Sequence, residues 1–324
     1  MGEAFAGRTV GKKAMLWGIL AQSIPDIDFL AAFWLKTEDN LLAHRGITHS
    51  ILFAALITPI IAGLANHWHR PHNISFRRWV LFIGSVILMH IFLDAFNNYG
   101  VGWFEPFNPV RVSFNTIYVA DLFFSIAPGI ALLLLVILSK KNKHRNWIWQ
   151  LGLVIPFLYL GYGVANRKYI HRETKRILSA QKIPYKRLLI TPAPLQSWLW
   201  FIAADTDSGF YTAYRSVFDR TLKQHFHYFP RNDSLAALVK DEIALKKIMQ
   251  FSQDYYTIEK HADTILVNDL RFGQVIGWQN PAESFAFYYY LQPEIDNTLV
   301  VQRGRFAKWD RQSMLSLLRR IKGN

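Results

Sequence analysis

The sequence predicts an α-helical transmembrane bundle of about five spans, followed by a smaller, mainly β, α+β domain exposed to water. Three observations carry this expectation. The 324 residues are 51% hydrophobic, a high fraction for a chain that has to dissolve. Apolar stretches near the length of about 20 residues that crosses hydrocarbon as a helix recur through the first half. Beyond Gln196 they give way to short runs rich in aromatic and β-branched residues, the composition of strands. The resulting division is 1–170 as the helical domain with the chemistry, 171–195 as a basic linker and 196–324 as the α+β domain.

The apolar stretches are Ala14–Leu35, Ile47–Ala65, Trp79–Phe96, Tyr118–Ser139 and Trp147–Asn166. Pro25, Pro59, Pro128 and Pro156 interrupt them, which membrane helices tolerate when neighbours satisfy the freed carbonyls. The alternative, buried helices of a soluble protein, is opposed by Trp34, Trp68, Trp79, Trp147 and Trp149, which gather near span ends as an interfacial belt does. Arg8, Lys12 and Lys13, then Arg70, Arg77 and Arg78, then Lys140, Lys141, Lys143 and Arg145 all fall on one side if the spans alternate. That side is expected to be cytoplasmic, placing Pro25–Asp28, Thr37–Ser50 and the Asp94–Ile117 loop on the outer face. No cleaved signal peptide is expected in the first ten residues. The net charge of +14 is read as attraction to anionic lipid headgroups, with the bilayer as partner and no nucleic acid expected. The sequence assigns no oligomeric state.

In the second half the expected strands are Ser197–Ala204, Gly209–Val217, Thr264–Leu270, Phe285–Leu291 and Thr298–Gln302. Helices are expected at Ser234–Gln250 and Asp310–Ile321, the latter with Leu315, Leu318 and Ile321 opposite Arg311 and Arg319. Asp205-Thr206-Asp207-Ser208-Gly209 reads as a turn, because the later ligands of a calcium loop do not follow.

Ionisable groups beside apolar spans are costly, so each needs a partner or a use. Here they cluster. Pro25-Asp26-Ile27-Asp28 breaks an apolar helix and leaves two carboxylates where the chain turns. His44-Arg45-Gly46-Ile47-Thr48-His49-Ser50 stands where a charged loop becomes a helix, with two histidines able to converge if Gly46 lets the backbone turn. Arg45 suits a phosphate or carboxylate on a substrate. His90 and Asp94, four apart late in an apolar span, share a helical face. With no cysteine in the chain, a metal site must be built from His and carboxylate, which suits zinc and also manganese. The candidate ligands are Asp26, Asp28, His44, His49, His90 and Asp94, enough for two ions. The bland readings are a solvated turn, a helix cap and a closed His–Asp hydrogen bond. His67, His69 and His72 read as a polar loop on the other face, and Asp121 as a cap or a supporting residue.

At these residues the sequence resembles the YdjM/YbcI-type family of bacterial membrane-bound, metal-dependent hydrolases. The likeness runs from Gly2 to Phe107 and includes Gly11-Lys12-Lys13-Ala14, Pro25-Asp26-Ile27-Asp28, His44–Ser50, His90 with Asp94, Tyr99-Gly100 and Pro106-Phe107. It implies a bacterial cytoplasmic (inner) membrane protein and a hydrolase with a divalent metal, zinc first and manganese second. Family members carry a Thr-His helix ahead of the segment matched by Gly2-Glu3-Ala4. No histidine precedes it here, which implies either an earlier start or a version lacking that ligand.

The leading expectation is a metal-dependent hydrolase acting at the membrane interface on a lipid or lipid-linked phosphoester or ester, with Asp28 and Arg45 as catalytic residues. The competing expectation is a non-enzymatic membrane protein, whose His/Asp clusters hold helices together and whose β domain binds a partner.

Overall fold

In the computed structural model, which describes residues 1–69, 74–261, 264–291, 298–299 and 309–323, the chain opens with two short helices, α1 (Gly2–Val10) and α2 (Lys13–Ser23). Pro25, which has no N–H to continue the ladder, starts a 3₁₀ segment, Pro25–Phe33, bent 55° from α2. After α3 (Thr37–Ala43) come α4 (Ile51–Trp68), capped by the Ser50 hydroxyl accepting from Phe53 N–H, and α5 (Phe76–Asp94), capped likewise by Ser75. Next are α6 (Leu122–Ile137) and the 36-residue α7 (Arg145–Ala180).

Helices α4, α5 and α7 are long and apolar enough to cross a membrane, and the bent α2 pair makes a fourth if it is one broken span. The expectation of about five therefore exceeds what the structure supports. The difference is α6, predicted over Tyr118–Ser139 but 16 residues long, about 24 Å against a hydrocarbon core of about 30 Å. Asp121 starts it late, accepting from Phe123 and Phe124 N–H as an N-cap. The stretch read as a basic linker remains helical to Ala180 and enters a strand at Arg187. His69 accepts from Trp17 Nε1 at 2.8 Å and stacks on Trp79, a structural role. His72 lies outside the described residues.

The chain divides into two compact units: Met1–Phe33 with Ala43–Phe114 and Ala120–Gly161, and Trp34–Leu42 with Asn115–Val119 and Tyr162–Asn324. In the first, α4 buries a stripe of small residues, Ala54, Thr58, Ala62 and Ala65, and turns Leu56, Ile60 and Leu64 outward. Small faces let membrane helices approach closely. A Cβ on Gly84 of α5 would lie 3.1 Å from Thr58 Cγ2. The Thr58 hydroxyl donates to the Ala54 carbonyl beside Pro59. Trp79, Phe82, Ile83 and Ile87 of α5 complete the core with Ala6, Ala14 and Ala21.

The second unit holds two antiparallel four-stranded sheets, β1 (Arg187–Pro192) to β4 (His227–Pro230) and β5 (Tyr256–His261) to β8 (Thr298–Leu299), each in sequence order. Between them stand β2 (Leu199–Asp205), β3 (Gly209–Ser216), β6 (Thr264–Gln274) and β7 (Phe285–Leu291). Leu189, Phe201 and Phe210 pack with Leu270, Phe285 and Leu317 of the final helix, Arg311–Ile321. The first sheet's other face packs Ile190, Trp200 and Ile202 on Ile170 of α7. The expected Asp205–Gly209 turn joins β2 to β3, with Asp205 paired to Arg187 and Arg231. The expected helix over Ser234–Gln250 divides into a 3₁₀ turn, Asp233–Leu238, and α8 (Glu242–Phe251). The predicted Thr298–Gln302 strand is described only over Thr298–Leu299.

One buried ion pair ties three helices of the first unit. Arg145 donates to both Glu3 carboxylate oxygens, at 2.8 and 2.7 Å, and to the Leu135 and Leu138 carbonyls at 2.8 Å. Removing one member of such a pair leaves a buried charge, at a cost of about 3–5 kcal/mol. Arg145→Met is therefore expected to lower the melting temperature of detergent-solubilised protein clearly, with Lys140→Ala, an exposed neighbour, unchanged. A wild-type melting curve for Arg145→Met would refute this role.

Candidate metal centre

The predicted residues come from three helix ends. The break after α2 delivers Asp26 and Asp28, a 3₁₀ turn Ile47–His49 precedes α4, and the last turn of α5 supplies His90 and Asp94. The antiparallel run of α4 and α5 brings these ends together. Arg45 stands in the left-handed region, φ 62°, and its carbonyl accepts from Gly102 N–H at 2.9 Å. Arg111 donates to the His44 carbonyl at 2.9 Å, so the loop after α5 fixes the one before α4.

Among the described residues, one group of His and carboxylates could hold a metal ion. It comprises Asp26, His49, His90 and Asp94, one donor atom each, all within 4.8 Å of one another. The Nε2 atoms of His49 and His90 are 3.3 Å apart. Asp26 Oδ1 is 3.5 Å from the first and 3.4 Å from the second, and Asp94 Oδ2 is 3.5 and 3.8 Å away. A tetrahedral ion with bonds of about 2.0–2.1 Å sets its donors about 3.3–3.4 Å apart. The spacings that involve a histidine nitrogen lie within about 0.5 Å of that shell, and the whole group lies within 4.8 Å. Asp94 Oδ2 is buried, with Arg45 Nη1 3.2 Å and His49 Nε2 3.5 Å away.

Behind the donors, a second set of side chains aims the rings. His49 is fully buried, and its Nδ1 lies 3.3 Å from Asp28 Oδ2. A proton on Nδ1 facing this carboxylate leaves Nε2 free to bind. Gln22 Nε2 meets His90 Nδ1 at 3.0 Å and holds that ring in place. Asp28 is saturated: it accepts from Arg45 N–H at 2.7 Å and Thr48 Oγ1 at 3.2 Å, and its other oxygen faces His44 Nδ1 at 3.0 Å. Asp28 and His44, expected among the ligands, thus stand outside the four-donor group. Gln22 was absent from the sequence reading, although a polar amide three residues before Pro25 in an apolar helix is itself a signal.

Arg45 is buried over the Tyr99 ring, 4.8 Å from its centroid, with Nη1 3.2 Å from Asp94 Oδ2. Its Nε and Nη1 make no hydrogen bond. Asp26 has the exposed edge of the group, its side chain 49% accessible against 21% for Asp94.

Apolar helices around a buried His/carboxylate group define an integral membrane protein able to hold a metal ion near the ends of its spans. The chain belongs to the YdjM inner membrane protein family, whose profile matches residues 1–170. It is 29% identical over 113 residues to inner membrane protein YbcI of Escherichia coli K12, a match covering 34% of this chain and 64% of that one. It is 32% identical over 216 residues to the uncharacterized protein YfhP of Bacillus subtilis 168, covering 61% of this chain and 57% of YfhP. The matches therefore take in less than two thirds of either relative's length. No solved structure matches. The relatives and the apolar helices support a bacterial inner membrane protein.

Burial pulls the His49 pKa down, but hydrogen bonds to Asp26, Asp28 and Asp94 outweigh it and raise it to about 10. Below that pH the metal-free imidazole holds a proton that an incoming ion must displace. Zinc affinity is expected to rise about tenfold per pH unit between pH 6.5 and 8, with at least one proton released per ion, measured by calorimetry in two buffers of different ionisation enthalpy. Asp28→Asn is expected to weaken binding roughly 10–100-fold. Affinity independent of pH would contradict the proton-displacement account.

Proposed function

We propose that the protein is a metal-dependent hydrolase of the bacterial inner membrane, acting on a lipid or lipid-linked phosphoester at the membrane interface. The observation that carries this reading is Arg45, a buried guanidinium whose Nε makes no hydrogen bond and whose Nη1 is paired with Asp94 at 3.2 Å, at the edge of a four-donor His/carboxylate group. A phosphoryl group brings the acceptor oxygens that the remaining guanidinium donors fit. Asp26, His49, His90 and Asp94 would hold a divalent ion, which would supply Lewis acidity for hydrolysis. Zinc suits the nitrogen and carboxylate donors and their spacing, with manganese the second choice.

The remaining residues have separable tasks. Arg45 orients the phosphoryl oxygens and answers their charge. Asp28 is a positioning residue that holds the His49 ring. His44, oriented through Nδ1 by Asp28 and set edge-on to Tyr99, is partly exposed and is the group suited to carry a proton to or from the substrate. Asp26 marks the side from which substrate arrives.

The site is proposed to face the extracytoplasmic side, because the basic loops around Lys12–Lys13, Arg77–Arg78 and Lys140–Lys143 join the opposite helix ends. Helix α6 is proposed as a fifth crossing, its shortness met by local bilayer thinning. The non-catalytic reading has one observation in its favour: four protein donors alone fill a tetrahedral shell.

The two readings separate on His44→Gln. Purified protein loaded with zinc or manganese is assayed against bis(p-nitrophenyl) phosphate and a fluorescent phosphatidic acid in mixed micelles. The expected result is turnover lowered roughly 10²–10⁴-fold in His44→Gln at unchanged metal content, and loss of both turnover and metal in His49→Ala. No product above the His49→Ala background with either substrate would defeat the hydrolase reading.

A further inference from the structure

We propose that the second unit contains a separate anion site, a cavity built around Arg215 that takes a phosphate monoester group. The cavity, about 710 Å³, is bounded by Tyr169 and Glu173 of α7, Arg215 at the end of β3, Arg220 in the following loop, and Lys322 after the final helix. Strand alternation accounts for its position. Phe210 and Tyr214 of β3 point into the core between the sheets, so Arg215 points to the opposite face, where α7 packs.

Arg215 is 1% exposed and poorly satisfied. Nη1 donates to the Thr221 carbonyl at 3.2 Å, and Nη2 is 3.8 Å from Glu173 Oε2, beyond hydrogen-bond reach. The buried Nε makes no hydrogen bond. A guanidinium offers five donors, and burying them unpaired is costly. The neighbouring acids are shared with other cations. Glu173 pairs with Arg176 at 2.8 Å through Oε1, leaving only the long Oε2 contact to Arg215, and both Asp219 oxygens take nitrogens of Arg320 at 2.7 Å. Arg320 also answers the negative pole at the end of the final helix. Arg215, with Arg220 and Lys322 exposed at the rim, therefore leaves surplus positive charge in the cavity. A phosphate monoester, with near two negative charges and three acceptor oxygens, matches that surplus. The same group can come from a soluble metabolite or from a phosphatidic acid headgroup.

The test uses full-length protein in detergent with EDTA, so that metal at the His/carboxylate group contributes nothing. Glycerol 3-phosphate is titrated by calorimetry, and retained phosphatidic acid and phosphatidylcholine are counted by native mass spectrometry. The comparison is Arg220→Ala with Lys322→Ala, two exposed substitutions chosen to leave folding intact, and circular dichroism checks this. Losing two charge-assisted contacts is expected to weaken binding roughly tenfold or more, while His49→Ala binds as wild type. Saturable glycerol 3-phosphate binding lost in the double variant assigns a soluble ligand. Selective retention of phosphatidic acid, lost in the double variant, assigns a lipid headgroup. The site is overturned if wild type binds neither, or if the double variant binds as wild type does.

Discussion

Two imidazole nitrogens held 3.3 Å apart, with carboxylate oxygens on either side, are the constraint around which the first unit is arranged. Neutral rings have little reason to converge head to head inside an apolar bundle, and protonated rings would repel. The arrangement holds because three carboxylates offset the charge and because each ring is gripped from behind, His49 by Asp28 and His90 by Gln22. Every helix boundary nearby serves this convergence. Pro25 stops α2 early enough to turn two aspartates inward, Ser50 starts α4 directly after His49, and α5 ends on Asp94. The small-residue face of α4 then brings the two helices close enough for side chains one turn from their ends to meet.

Much of this was legible in the sequence. Proline next to acidic pairs, histidines at a helix start and His90 with Asp94 on one helical face all mark polar groups at span ends, where each needs a partner or a use. The division of labour within the cluster was not legible. Asp26 and Asp28 are two residues apart and chemically identical, yet one faces the four-donor group and the other supports it, a distinction set by the 3₁₀ geometry after Pro25. His44 and His49 divide for a similar reason: the left-handed turn at Arg45 sends them to opposite sides of Asp28.

The second half shows the same limit from another side. Strands with strong aromatic and β-branched content, such as β6 and β7, stood out. Those at β1, β4 and β5 were missed. His227–Pro230 is four residues long and alternates half-exposed and exposed positions, and Tyr256–His261 carries three polar residues at its open end. Their strand character comes from neighbours and not from their own composition, so local propensity had little to report. At α6 the apolar stretch began at Tyr118, three residues before Asp121 caps the helix.

Arg45 carries a final consequence. An L-residue held at φ 62° forgoes about 1–2 kcal/mol relative to glycine, which adopts that conformation freely. Glycine here would give a sturdier loop with no guanidinium under Asp94. The position therefore sets durability against the charge beside Asp94. Under selection for stability alone it should drift to glycine or asparagine, and lineages in which it has done so would keep the scaffold without that charge.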